Sequence, residues 1–353
     1  MKNLNIWIGL SLTGIVTGFL FLFLDLDQSQ PNIDIWYGNR QYFGHLGNPQ
    51  RFVNILGTVH HSDEADAFEL SYSLNRNAYL PINVGKDLHR LARHGDFNIE
   101  LDIDRLLSGT NNIRIVAQFE HDEKVSSEVV VIYRKNTTWP LPYTVDFTSD
   151  TDIQNAVQVI DGKWRIVNDG LRIQEPYYDR IIGIGDLKWQ DYEAVIKLKL
   201  NDFESPYEGA PSYGISHFAF APHWRGHHND NNQPRRKWYP LGSTFEFFTG
   251  GGLRNRLFRR WNWRILADLE HKQTSSTPYA LILKAWYFVK VNTTKLAKGS
   301  SIYKIKFWEA GTTEPSSWEM EYRDTYNDFT SGGLLIVAHH TDITIANITA
   351  RPL

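Results

Sequence analysis

Apolar positions along the chain fall into two regimes. From Ile6 to Leu24 they form one run without a charge, rich in Leu, Ile, Phe and Val; beyond it they recur in short runs punctuated by Gly, Asn, Asp and Pro. At helical rise, about 19 residues cross the roughly 30 Å hydrocarbon layer with little room for tilt. Backbone groups in lipid must be satisfied within their own segment, so the run predicts a transmembrane helix. A cleaved signal peptide would have a shorter apolar region ending in small residues. Here Phe21-Leu22-Phe23-Leu24 leads directly into Asp25, which favours a retained anchor. Within it Gly14 and Gly18 form a G-x-x-x-G step, which lets a second helix approach closely.

The short runs after the polar stretch Gln28 to Asn32 read as strands: Arg51–Val59, Phe68–Leu74, Asn98–Ile103, Ile113–Phe119 and Glu128–Tyr133. Ile113, Ile115, Ala117 and Phe119 alternate with polar partners, the period of a half-buried strand. Ser108-Gly109-Thr110-Asn111-Asn112 reads as a turn. Several such strands without a convincing helical stretch predict an antiparallel sandwich. Thr137-Thr138-Trp139-Pro140-Leu141-Pro142 interrupts the pattern, since two prolines remove donors and favour extended backbone. The expected organisation is a cytoplasmic stub and anchor at 1–27, one sandwich at 28–136, a linker at 137–142 and a second β module at 143–353.

The segment GDFNIELDIDRLLSGTNNIRIVA, with its L-x-x-G-x-N turn between two strands, resembles immunoglobulin-like or fibronectin-like modules. Four later segments, DGKWRIVNDGLRI, YYDRIIGIGDLKWQDYEAVIKLKL, YKIKFWEAGTTEPSSWEMEY and GLLIVAHHTDITIANITARPL, are rich in Trp and Tyr. Their order resembles the concanavalin A-like lectin/glucanase jelly roll, in the laminin-G-like sense. That resemblance implies a buried Trp strand early in the module and a last strand returning beside the first. It implies no single activity, because the fold carries lectins, glycosidases and interaction domains. The fold class expected is therefore all-β: a transmembrane helix, an Ig-like sandwich, then a jelly-roll sandwich.

Composition narrows the chemistry. With 37 Lys+Arg against 40 Asp+Glu the chain has a formal charge of −3, which excludes nucleic-acid binding driven by bulk charge. No cysteine is present, so disulfides, thiolate metal sites and a Cys nucleophile are excluded. Lys2 before the apolar run and Asp25 and Asp27 after it place the N-terminus in the cytoplasm and the bulk in the periplasm or outside the cell.

Candidate chemistry is sparse. Glu100, Asp102 and Asp104 superficially resemble the E-x-D-x-x-E strand of laminarinase-type glycosidases, whose paired carboxylates share one face. The third position comes one residue early and lies in the wrong module, and the same residues suit the solvent face of an ordinary strand. His227, His228 and Asp230 lie in a stretch rich in Asn and form a weak candidate site for Ca or Zn, together with nearby His223. No cofactor is expected. From His223 to Arg264, arginines and aromatics interleave: Arg225, Arg235, Arg236, Trp238, Arg256, Arg259, Arg260, Trp261 and Trp263. Arg and Trp are enriched in interfaces, and they also suit anionic lipid head groups and sugar rings. Leu253, Leu257, Trp261 and Ile265 recur every four residues, yet the jelly-roll resemblance favours strands there.

The expectation is thus a single-pass anchored, extracytoplasmic binding protein rather than an enzyme. Its preferred role is an accessory subunit that braces an integral-membrane complex, photosynthetic or respiratory, through its helix and its β modules. The alternative is a surface glycan-binding, lectin-like protein, and a tethered glycoside hydrolase is the least favoured reading.

Overall fold

The computed structural model describes residues 30–353 apart from 62–66, 88, 121–122, 203–215, 239–242, 249–259, 268–269, 277, 297–298 and 326–328. Ile6–Leu24, with Gly14 and Gly18, lies outside the described residues. Among the described residues there is no α-helix, and no helix long and apolar enough to cross a membrane. The chain builds two β-sandwiches.

In the first, Asn32–Ile35, Phe52–His60 and Asp96–Asp102 form one sheet. The facing sheet has the order Arg40–Phe43, Lys124–Tyr133, Gly109–Phe119, Phe68–Leu74, Leu80–Ile82. Its first pair is parallel, Arg40 opposite Val130, and the other pairs are antiparallel. The expected alternation sets the core, for Ile113, Ile115, Ala117 and Phe119 all point inward. The expected turn at 108–112 is shorter, because the strand already begins at Gly109. Asn111 holds the preceding bend from inside the strand: its amide nitrogen donates to the Leu107 carbonyl at 2.8 Å, and its oxygen accepts from Leu107 N at 2.9 Å.

The second sandwich packs two eight-stranded sheets face to face. The front sheet contains Gln158–Asp161, Arg180–Ile184, Gly333–His339, His217–Trp224, Ser243–Phe248, Arg260–Ala267 and Glu270–Thr274, with Tyr279–Ala280 at its side. The back sheet contains Trp164–Val167, Gly170–Ile173, Asp342–Pro352, Tyr192–Asp202, Trp286–Lys295, Ser301–Glu309 and Met320–Asp324. Tyr143–Asp146 pairs with the last strand, Ile348 opposite Val145, so the module closes on itself as a jelly roll does. Trp164, Trp189 and Trp263 are buried in its core with Phe218, Phe220, Phe245 and Phe247. The segment 137–142 is no free tether. Trp139 is buried, and its carbonyl accepts from Trp189 Nε1 at 2.9 Å.

A polar seam locks the two sandwiches together. The strand Phe52–His60 is buried on both faces until its last residue, because its outer face meets the second sandwich rather than water. Gln158 Nε2 donates to the Phe52 carbonyl at 2.6 Å, and Asn98 Nδ2 donates to Asp161 at 2.8 Å. Arg90 lies between Glu100, 2.7 Å away, and Asp161, 2.8 Å away, with all three side chains almost wholly buried. A buried charge is tolerated only when paired and hydrogen-bonded, and each member of this group meets that condition.

Candidate functional site

The residues singled out in the sequence do not assemble into one surface. Trp261 and Trp263 are 4% and 0% exposed and pack among Phe247, Phe218 and Phe307, so neither ring is available to a sugar or a partner. The cause is phase. In Arg260–Ala267 the residues Trp261, Trp263 and Ile265 face the core, and Arg264 points the other way, where it donates to Glu246 at 2.5 Å. A carboxylate on the same sheet face thus pairs with this arginine.

Arg235 and Arg236 turn toward the first sandwich. Arg235 reaches Glu100 at 3.1 Å with its guanidinium 4.0 Å from the Phe52 ring, and Arg236 lies 3.4 Å from Asp87. Arg225 donates to the Ser331 carbonyl at 3.3 Å and lies over Phe329. Arg256 and Arg259 lie outside the described residues, as do the side chains of Trp238 and Arg260.

The carboxylate and histidine candidates also separate. Glu100 is not on a solvent face: it is buried between Arg90 and Arg235. Asp102 instead pairs with Arg51 at the surface, 2.8 Å away, and Asp104 belongs to a short 3-10 turn. His227 is buried 3.7 Å from Glu100, whereas its neighbour His228 is exposed, as alternation along a strand requires. Asp230 accepts from Asn232 N and Arg236 N at 3.1 Å each, so its oxygens are already engaged. Among the described residues no group of three His, Asp or Glu is arranged to hold a metal ion. His223 is likewise inside, between the Gln190 and Phe329 carbonyls at 3.1 Å each.

Two arrangements that sequence reading missed lie on the outward faces of the second sandwich. On the front sheet a row of polar side chains crosses the strands. His339 Nδ1 meets Asp179 at 2.7 Å, His217 stacks on His339 at 4.4 Å, and Glu246 lies 3.7 Å from His217. Burial pushes the Asp179 carboxyl up, but the hydrogen bond and charge of His339 outweigh it and hold the carboxylate below its usual range. These four side chains are all buried, so a polymer does not reach them.

The back sheet offers what the front does not. Tyr287, Val289 and Val291 enter the core, so Trp286, Phe288 and Lys290 occupy the outward positions of the strand Trp286–Lys295. Phe288 is opposite Lys197 on one side and Trp308 on the other. Its ring stacks on Trp308 at 5.4 Å. The Lys197 ammonium lies 5.5 Å from Trp286 and 5.9 Å from Phe288, and that of Lys199 lies 4.9 Å from Trp286. At one margin Trp318 packs beside Lys306 at 4.8 Å. Half-buried rings held by lysines on adjoining strands make a firm, amphipathic platform.

No protein-family model and no curated protein matches the chain. Among solved structures it is similar to the carbohydrate-binding module CBM66 from Bacillus subtilis, at 10% identity over 55% of this chain and 94% of the module, with a TM-score of 0.34. It is similar to xylan β-1,4-xylosidase from Bacillus halodurans at 7% identity, with a TM-score of 0.37. That match covers 87% of this chain and 64% of the enzyme, less than two thirds of its length. A third is the VIP36 exoplasmic/lumenal domain in its Ca2+-bound form, at 9% identity over 60% of this chain and 90% of the domain, with a TM-score of 0.36. Likeness this distant identifies no ligand for the present chain.

A signal for the platform did exist in the sequence. In WYFVKVNTTK the aromatic residues Trp286 and Phe288 occupy the phase of the alternation that polar residues fill elsewhere. Large rings left on the solvent side of a strand mark contact surface rather than core.

Proposed function

We propose that this protein is a glycan-binding, lectin-like protein, with a polysaccharide lying across the outward face of the back sheet. The observation that carries this reading is the set Trp286, Phe288 and Trp308 on outward positions of adjoining strands, braced by Lys197. Two residues along a strand separate Trp286 from Phe288 by about 7 Å, which offers successive ring faces to successive sugars. The C–H face of a sugar ring stacks on an aromatic, and lysine donors reach its hydroxyls. No bond is made or broken at this face.

The first sandwich is read as Ig-like. Its three-stranded and five-stranded sheets, and the parallel pairing of Arg40–Phe43 with the last strand, support that reading. It serves as a stem, and Ile6–Leu24 as the membrane anchor. The second reading, a brace for an integral-membrane complex, draws on the buried Arg90 seam, which joins the two sandwiches. Recovery of a stoichiometric membrane complex in mild detergent, with no glycan bound, would favour it.

The test is affinity electrophoresis of the full chain, in mild detergent, through gels containing a panel of soluble polysaccharides. Trp286→Ala and Trp308→Ala should each weaken retardation about tenfold, equivalent to about 1.4 kcal/mol, with unchanged circular dichroism. A protein that no polysaccharide retards, or variants that run like the parent, would overturn the reading.

A further inference from the structure

Resting on the glycan reading, we infer that the polysaccharide is anionic, a uronate or sulfate-ester polymer whose charged groups are received beside Trp286 by Arg165, Arg172, Lys199 and Lys197.

The register of the back sheet brings these groups together. Arg165 is opposite Arg172, Arg172 opposite Thr344, Thr344 opposite Lys199, and Lys199 opposite Trp286. Directly opposed residues share a sheet face, so one row runs from two arginines through a lysine to an indole. The neighbouring row carries Lys197, Phe288 and Trp308. Distant segments of the chain supply this face. Its arginines come from the hairpin of Trp164–Val167 and Gly170–Ile173, and its ring and lysines from strands roughly 25 to 120 residues later.

An open cleft of about 550 Å³ lies at this end of the row, lined by Arg165, Ile166, Val167, Asn168, Asp169, Arg172 and Lys199. Charge decides what suits it. Lys199 is paired with Asp169, and Arg172 with Asp342, whose Oδ1 accepts from Arg172 Nε at 2.9 Å. Among the described residues Arg165 and Lys197 form no ion pair; Arg165 is exposed, and Lys197 lies against rings alone. Asp146, on the outer strand of the Lys197 row, is separated from that lysine by Asn347. A neutral sugar would leave the charge of Arg165 and Lys197 unanswered, whereas a carboxylate or sulfate completes the pairing. Guanidinium donates to either in a two-pronged fashion, and lysine as a point charge. An anionic bilayer is the rival for such charge. The rings of this face are half-buried in a flat sheet and project no apolar side chain into an acyl layer, so the polymer is preferred.

The experiment compares polygalacturonate and dextran sulfate with uncharged galactan and dextran, using the full chain in mild detergent. The double variant Arg165→Glu with Lys197→Glu changes two outward side chains that make no ion pair. The expected result is retardation by an anionic polymer at least tenfold stronger than by its uncharged counterpart, weakening as salt rises through the range where the screening length falls below about 8 Å. In the double variant the ratio between an anionic polymer and its uncharged counterpart should fall to one or below, whatever affinity for the uncharged polymer remains. Equal retardation by charged and uncharged polymers, unaltered in the double variant, would overturn the anionic assignment and leave the glycan reading standing. Retardation by neither kind would remove both. Binding to phosphatidylserine vesicles alone would also remove both and assign the face to a membrane.

Discussion

At the scale of single residues, burial assigns roles that residue type leaves open. Five tryptophans illustrate this. Trp261 and Trp263 are core residues, whereas Trp286, Trp308 and Trp318 face outward. Histidines divide in the same way, and their burial has a consequence for pH. Burial lowers His223 from 6.5 to about 4, and it does the same for His340. Between those values the unfolded chain takes up protons that the folded chain refuses, so stability falls as the solution is acidified from about pH 6.5 to about pH 4. Asp161 works in the opposite sense, because burial, against the pull of Arg90, pushes it up to about 7. Burial also lowers His45 and His227 and raises Asp96, so four histidines stand against two carboxyls and the melting temperature should drop across this window. His223→Gln should flatten that drop. A parent whose melting temperature holds steady over the same range would show that His223 is not kept neutral by burial.

At the scale of elements, period two was the readable signal. It placed the core face of Gly109–Phe119 correctly, and it also sorts Trp286–Lys295, where the unusual feature is rings on the outward phase. Alternation failed where a strand is covered on both sides. In Phe52–His60 polar and apolar residues are buried alike, and Asn54 is satisfied by Gln50 and Asn98 at 2.7 and 2.9 Å. That strand also depends on close approach at Gly57. A Cβ there would lie 2.3 Å from the Asp34 carbonyl and 2.5 Å from the Phe97 ring. Gly57→Ala should therefore cost about 1–3 kcal/mol in urea unfolding, as overpacking does. It should also speed hydrogen exchange along Asn32–Ile35, the strand it would push away. Parent-like exchange there would show that the sheet accommodates the methyl group.

At the scale of the whole molecule, the seam between the sandwiches is the feature on which rigidity depends. Arg90→Met would leave Glu100 and Asp161 buried without their shared partner, and removal of one member of such a group costs about 3–5 kcal/mol. Urea unfolding should show that loss, with the single parental transition separating into two as the sandwiches uncouple. A variant within about 1 kcal/mol of the parent, still unfolding in one step, would mean that packing alone holds the junction. The sequence by itself determined the strand-rich character and the apolar run at the N-terminus, because these follow from periodicity and hydropathy in neighbouring residues. Tertiary structure alone decided that Glu100 serves a buried seam, that Arg235 and Arg236 turn toward the first sandwich, and that Arg165, Lys199 and Trp286 share one face. Those outcomes depend on which strands lie side by side, and strand order joins residues that local sequence keeps far apart.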